Sequence, residues 1–576
     1  MFNRYFQQEL SNLKELGTEF SVNNPAIAPM LSEVSSDPDV DRLLEGVAFL
    51  NGMIREKIDD EFPEIIHEMI RLLWPHYLRP VPSSTIINFM PHNSYSAMIQ
   101  IEKGTYVDSI PIDDTKVRFR TCMDVDIHPL EVKDVTFEKP PGMPHELTLK
   151  LQLLSITNED FKSDKLNFYL SGDYATSSTL FLYLSEYLNS VKVVTPNEDD
   201  FVIDKRSLNQ KGFDDDCALI EYPSHSFPGY RLIQEYFAMP EKFFFFELNG
   251  LKNWKNRGEG DYFEIKFIFN DLPDEFIRVK KDSVILNAAP AVNIFSHDSD
   301  PIRVDHKRTN YKIRPTTDMI KNYQVYSIDR ITGFVHGTLK ERDYKPFHDF
   351  EKSTGDNPVY NETLKKSPVH DGIDFYISVA GKEDRERTLD ETLSIDLQCT
   401  NGHLPEKLTK GDVSVNSGAI PENIQFENLK QPTFQSLPDF NKGFLWNLVS
   451  HLSLNYLSLS KPENLKTLLD LYIMKGSRNK KWISTCNKKL TGIEDIKVKH
   501  ADRLLQGRML RGREILVVAR HDCFGSIGDL YLFGTVLNMF FGMYSSINTF
   551  TRLKLEDTLT GEVFKWKERA GEKPLI

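Results

Sequence analysis

No stretch of this 576-residue chain reaches the roughly 18 consecutive apolar residues that a bilayer-crossing helix needs, and the most apolar segment, FGTVLNMFFGMYSSI near the C-terminus, falls short. The first residues, MFNRYFQQEL, are polar and helix-like and lack the charged-then-apolar order of a secretory signal, so the expected location is the cytoplasm. Cysteine is sparse. Cys122, Cys217, Cys399, Cys486 and Cys523 lie far apart with no CxxC pair, which removes the usual zinc and thiol-redox frameworks and leaves buried free thiols as the expectation. Positive charge is in deficit, with 70 Lys and Arg against 84 Asp and Glu and a formal charge of −14. That balance argues against a protein whose main business is coating nucleic acid or an anionic membrane. Gly525, Gly528 and Gly534 form neither GxGxxG nor a Walker lysine loop, and no repeat of fixed period runs through the chain.

What the chain does have is concentrated first in residues 37–82. Asp37 suits a helix cap, Pro38 suits the first helical position, and Asp39 and Asp41 sit where the positive end of the helix dipole favours acids. Val40, Leu43, Leu44, Val47, Leu50, Ile54 and Ile58 then recur at three- and four-residue spacing, an apolar stripe along one helix. Pro63 is expected to open a second helix with Ile66, Met69, Ile70 and Leu73 as its apolar set, and Pro75, Pro80 and Pro82 end it in extended geometry. Upstream, Phe2, Phe6, Leu10, Leu13, Leu16 and Phe20 mark another amphipathic helix, whose stripe packs either within its own domain or in a bundle with partner chains.

Past Pro82 the period changes to strand alternation, as in ELTLKLQL at 146–153, with one helix expected over 177–189. Residues 196–216 read as a surface excursion with two acidic clusters. The aromatic segment 222–250 reads as a short helix and a core strand, because Glu235, Glu241 and Glu247 oppose Arg231 and Lys242 where a base-stacking platform would need a basic groove. Residues 344–364 are polar and are expected to be a mobile loop. After a linker at 435–442, Leu445, Leu448, Val449, Leu452, Tyr456 and Leu459 mark a helix, Pro462 opens another, 515–519 is a strand, 530–544 is helical and apolar, and strand alternation returns. The expected fold is multidomain α+β: an N-terminal helical region (1–82), a β-rich domain with one or two helices (83–260), a second β-rich domain (261–434) and a mixed helix and strand domain (435–576).

Candidate chemistry is thin. His297, Asp298, Asp300, Asp305 and His306 collect oxygen and imidazole groups in a short space, the basis for an alternative reading as a metal-dependent hydrolase or processing factor. Their spacing matches no metal signature, and a salt-bridged strap is the plainer reading. In HDCFGSIG, His521, Asp522 and Cys523 are adjacent, and on a strand adjacent side chains diverge where a nucleophile and its base must converge. Arg503, Arg508, Arg511 and Arg513 form a basic run that suits a solvated face or an acidic partner.

Several blocks in order carry a family resemblance: DPDVDRLLEGVAFL, KIDDEFPEIIHEMIRLLWPHYLRPVPS, GYRLIQEYFAMPEKFFFFEL, PAVNIFSHDSDPIRVDHKR, CTNGHLP and FGTVLNMFFGMYSSINTFTRL. Together they resemble the type VI secretion baseplate subunit family TssF, also called VasA or ImpG. The resemblance implies a cytoplasmic structural protein with no enzymatic activity and no cofactor or metal. It implies pairing with TssG and a second copy of itself in a wedge that also carries TssK and TssE. Such wedges surround the VgrG hub, seed the Hcp tube and contractile sheath, and meet the inner membrane through other subunits. Under that reading Phe6, Leu10, Leu13, Leu43, Leu50 and Ile54 are the expected partner interface.

Overall fold

Helical spacing in the first 80 residues becomes two long helices in the computed structural model, α1 (Phe2–Asn23) and α2 (Pro38–Leu73). The structure describes residues 2–23, 38–73, 75–92, 98–196, 198–222, 226–273, 277–305, 308–337, 341–347, 358–367, 372–380, 390–438, 461–505 and 508–571. At 1.5 Å per residue α2 is roughly 54 Å long. The expected break at Pro63 does not occur, and one helix runs through it. A proline removes a single donor and crowds one carbonyl, and here strong helix formers continue on both sides. Ile70 is fully buried, while the side chains of Ile58, Ile66, Met69 and Leu73 lie outside the described residues. A short turn, Pro75–Leu78, buries His76, Tyr77 and Leu78.

The described residues fall into two compact units, 2–78 and 79–571. In the second, strand alternation is realised as expected: Glu146–Leu153 buries every second residue and pairs antiparallel with Leu130–Glu138 on one side and Tyr262–Phe269 on the other. Pairing is strongly non-local. Ser84–Pro91 lies between Ala288–Val292 and Ile424–Asn428, and Val81 and Ser436 exchange both backbone hydrogen bonds, at 2.8 and 3.0 Å. The expected divisions at 260 and 434 both fall within this single unit, and the one at 260 separates strands of the same sheets, since Tyr262–Phe269 pairs with Glu146–Leu153 and Ala288–Val292 with Ser84–Pro91. A larger sheet centred on Gln324–Val335 and Glu391–Thr400 also takes in Glu341–Pro346 and Val359–Lys366. The expected loop at 344–364 is corrected to that extent. Likewise the 196–216 excursion contains a strand, Phe201–Asp204, paired with Leu188–Val194. The predicted helix over 445–459 lies outside the described residues.

Aromatic density at 222–250 is core. Phe243, Phe244, Phe245 and Phe246 are all buried behind α4 (Pro228–Ala238), which follows α3 (Tyr174–Leu182) in the chain. Three charges in this segment, Arg231, Glu235 and Lys242, are buried too, which the sequence reading did not anticipate. Glu235 and Lys242 form a fully buried ion pair, and Glu235 Oε1 also accepts from the Leu219 amide at 2.8 Å. Burying either charge alone would cost several kcal/mol, so each depends on the other.

The C-terminal segment is fused to this core by a second buried pair. Helices α5 (Pro462–Leu471) and α6 (Lys480–Thr491) precede a long strand hairpin, and α7 (Ile527–Tyr544) follows it. Asp529 in the first turn of α7 is wholly buried and meets Lys489 of α6 at 2.8 Å. The hydroxyls of Tyr174 from α3 and Tyr236 from α4 donate to the same carboxylate at 2.7 and 3.0 Å, and the Gly525 amide donates at 2.9 Å. Burial first, and the Asp529 charge second, hold both phenols well above their ordinary pKa, so they remain donors. The Lys489 ammonium lies over the rings of Tyr236 and Tyr174, at 4.7 and 5.5 Å from their centroids. Close approach of the helices depends on Gly528, where a Cβ would fall 2.1 Å from the Ser178 carbonyl oxygen.

Asp529→Ala leaves the Lys489 charge buried without its counter-ion and is expected to destabilise the chain by about 3–5 kcal/mol. Urea denaturation measures it, and adding Lys489→Met should recover part of the loss. Equal stability of the single and double variants would refute the coupling.

Candidate functional site

Helices α1 and α2 form an antiparallel hairpin, since Phe6 lies against Gly52 whereas Lys14, further along α1, meets Asp41 nearer the start of α2, at 3.8 Å. Glu9 and Arg55 add an ion pair at the same seam. Gly52 permits the contact: a Cβ there would stand 3.2 Å from the Phe6 backbone nitrogen. Ala48, one turn earlier and fully buried, continues this small-residue face.

The apolar stripe predicted for α2 is a different face. Successive residues advance about 100° around a helix, so Leu43, Leu50 and Ile54 point away from Ala48 and Gly52. They are 69%, 60% and 57% exposed. Val47, Phe49 and Met53 extend the surface around the same side, and Leu16 and Phe20 of α1 are exposed as well. Phe6, Leu10 and Leu13 are half-buried. The six predicted interface residues thus separate into three on α1 that the hairpin partly covers and three on α2 that stand open. Phe49 and Met53 were absent from the predicted set. The run VAFLNGMI, apolar nearly all round, carries their signal, since a helix apolar on every side is a buried helix. Each large apolar side chain fully removed from water contributes about 1.5–3 kcal/mol, so six of them are a substantial driving force for association.

The other candidate clusters do not assemble chemistry. His297 stacks on Tyr323, with ring centroids 5.1 Å apart, and its Nε2 lies 2.9 Å from the Thr316 carbonyl oxygen. Asp305 accepts from the Tyr311 hydroxyl at 3.2 Å, and His306 lies outside the described residues. Among the described residues no three His, Cys, Asp or Glu side chains converge as metal ligands would. His521–Cys523 is a 3-10 turn where the sequence suggested a strand. His521 Nδ1 turns to buried Asp557 at 2.8 Å, and Asp522 pairs with Arg520, so nucleophile and base do not meet. Burial pushes the thiols of Cys122, Cys399 and Cys486 up to about 12, and that of Cys217 to about 11, which leaves them unreactive at neutral pH. Among the described residues no helix is long and apolar enough to cross a membrane.

An open apolar helical face, beside candidate clusters that do not converge among the described residues, has the character of an assembly component, and comparison with known proteins bears on that directly. The sequence model described as "Type VI secretion system, TssF" matches residues 1–573. The chain belongs to the TssF family. Its relatives include the type VI secretion system component TssF1 of Pseudomonas aeruginosa, 28% identical over 99% of this chain and 98% of that protein. A chain from the cryo-electron microscopy structure of the TssK–TssF–TssG baseplate subcomplex superposes with a TM-score of 0.79 at 27% identity, over 93% of this chain and 99% of the other. A second, from the baseplate complex of the type VI secretion system, gives a TM-score of 0.64 at 25% identity, with both chains fully covered. The mixed, β-rich, multidomain architecture described above is therefore the TssF-family fold.

Two outcomes follow from this geometry. Gly52→Leu is expected to prise α1 from α2 at a cost of about 1–3 kcal/mol, read as a lower thermal midpoint and weaker helical circular dichroism. Purified protein is expected to carry no stoichiometric metal. Bound metal lost on His297→Ala would restore the hydrolase alternative.

Proposed function

We propose that this chain is a structural wedge subunit of the type VI secretion baseplate, and that the exposed face of its helical hairpin bundles with a TssG-type partner and a second copy of the chain. The observation that carries this reading is the exposure of Leu43, Leu50 and Ile54 on a helix whose opposite side already packs on α1. Obligate interfaces bury on the order of 2,000 Å² or more and are rich in apolar residues, as this face is. The TssK–TssF–TssG subcomplex is the assembly in which the superposed relative was solved, and it supplies the partner chemistry. TssK joins the same wedge, with TssE, the VgrG hub, the Hcp tube and the sheath as further neighbours. The role is mechanical, with no catalytic step and no cofactor. The location is the cytoplasmic side of the inner membrane, which other subunits contact.

Rigid sheets suit that role. Buried ion pairs and interleaved strands hold the second unit as one body, and the hairpin gives it an attachment whose strength resides in apolar area. The triple variant Leu43→Glu, Leu50→Glu, Ile54→Glu alters only exposed positions, so its thermal midpoint should stay close to that of the unaltered chain. Co-purification with the cognate TssG protein should be lost. Retention of the complex by a correctly folded triple variant would overturn the assignment.

A further inference from the structure

The larger unit carries a surface of a different kind. Strands Ile493–Leu505 and Arg508–Ala519 pair along their whole length, from Ile493 opposite Ala519 to Leu505 opposite Arg508. The third strand of this sheet, Thr549–Asp557, joins only from Arg511 onward. Beyond that register the ribbon has two strands. The changeover falls at Gly512, which crosses Phe550 so closely that a Cβ would lie 2.3 Å from both its ring and its carbonyl oxygen. Outward of this point Asp502, Arg503, Met509 and Arg511 are exposed among the described side chains, with Met509 at 72%. A two-stranded ribbon is marginal in water without something against it.

The ribbon is also basic in an acidic chain. Residues 497–513 carry Lys497, Lys499, Arg503, Arg508, Arg511 and Arg513 against the single acid Asp502, whereas the whole chain has a formal charge of −14. Neighbouring acids answer part of this charge through exposed pairs, as where Lys497 meets Asp495 at 3.4 Å. Glu514 is shared between Arg503, Lys554 and Arg552, at 3.3, 3.2 and 3.7 Å, and the contact of Arg511 with Asp502 is 4.0 Å long between two exposed side chains. Such surface pairs contribute little.

The complementary surface lies on the same molecule. Residues 198–204 carry Glu198, Asp199, Asp200 and Asp204 and no base. The strand Phe201–Asp204 is the outermost of its five-stranded sheet, with Val202 exposed, and exposed Asp200 pairs with part-exposed Lys192 at 3.5 Å. We infer that the basic ribbon of one copy docks on the acidic strand edge at 198–204 of a second copy, with Met509 and Val202 adding apolar area to the charge match. The contact is head-to-tail, because the two patches differ, and repeated contacts of that kind close into rings or extend as arrays. Nucleic acid is the competing ligand for a basic ribbon. The ribbon has no Phe, Tyr or Trp to stack on bases, and the acidic remainder of the chain opposes a phosphate backbone. This contact is separate from the apolar hairpin and does not rest on the partner assigned there.

Sedimentation velocity of the full-length chain tests it. At low salt the weight-average sedimentation coefficient should rise with concentration, and high salt should abolish the rise. Arg503→Glu with Arg511→Glu, and separately Asp199→Lys with Asp200→Lys, should each weaken self-association by at least about tenfold through like-charge contact. Mixing the two variants in equal amounts should restore association, since each then supplies the charge that the other has lost. Three results would overturn the proposal: no salt-sensitive association of the unaltered chain, reversals without effect, or a mixture that stays apart. Salt-sensitive retention of the unaltered chain on duplex DNA, lost in the arginine variant without any change in self-association, would assign the ribbon to nucleic acid.

Discussion

The joint between the aromatic core and the C-terminal segment depends on the burial of Asp529 together with Lys489. A carboxylate and an ammonium taken out of water cost several kcal/mol each, and the cost is offset here only because two tyrosines, a backbone amide and a cage of rings satisfy the pair from every side. Those partners come from α3, α4, α6 and the start of α7. The arrangement is satisfied only when all four segments are docked, so the pair acts as a registration device as well as a joint. The second buried pair, Glu235 with Lys242, fixes the approach to the aromatic strand that begins at Phe245. A subunit that transmits force gains from such joints, because a shear that displaces one segment exposes an unpaired charge to an apolar interior.

The helical unit follows the opposite principle. It has a small-residue seam, Ala48 and Gly52, where its two helices meet, and a broad open apolar face on the far side. Apolar attraction is non-directional and scales with area, so it tolerates changes of angle between subunits better than a buried ion pair does. A wedge that must hold before firing and rearrange afterwards fits this division between charge-registered bodies and apolar attachment.

How far the sequence could be read follows from the range of the forces involved. Alternation in ELTLKLQL specified a strand because burial on one face is a local pattern, and the helical spacing of Leu43, Leu50 and Ile54 specified a face for the same reason. Which partner a face meets is not local. Nothing in the local pattern shows that Ser84–Pro91 sits between strands two hundred and more than three hundred residues away, and the domain limit drawn at 260 therefore cuts through sheets. Pro63 misled because a proline lowers helix stability by an amount that a long helix absorbs. Glu235 and Lys242 read only as opposing charges, and Lys489 and Asp529 do not stand out in the sequence, since nothing in a one-dimensional pattern distinguishes a solvated charge from one whose counter-ion arrives from another segment. The exposed apolar stripe on α2 was legible, and Phe49 and Met53, also exposed, were left out because a single stripe was traced where the helix is apolar almost all round.

The account turns on whether the far face of α2 is covered in the assembled wedge. Met53 reports on this directly, because its thioether oxidises at a rate set by solvent access and it stands about half exposed in the free chain. Peptide mass spectrometry after a hydroxyl-radical pulse, with and without the cognate TssG protein, measures that rate. The account predicts that oxidation of Met53, and of Leu43, Leu50 and Ile54 beside it, falls several-fold in the complex, while exposed Met143 in the sheet-built unit is unchanged. Equal oxidation of Met53 in the free and assembled chain would contradict it.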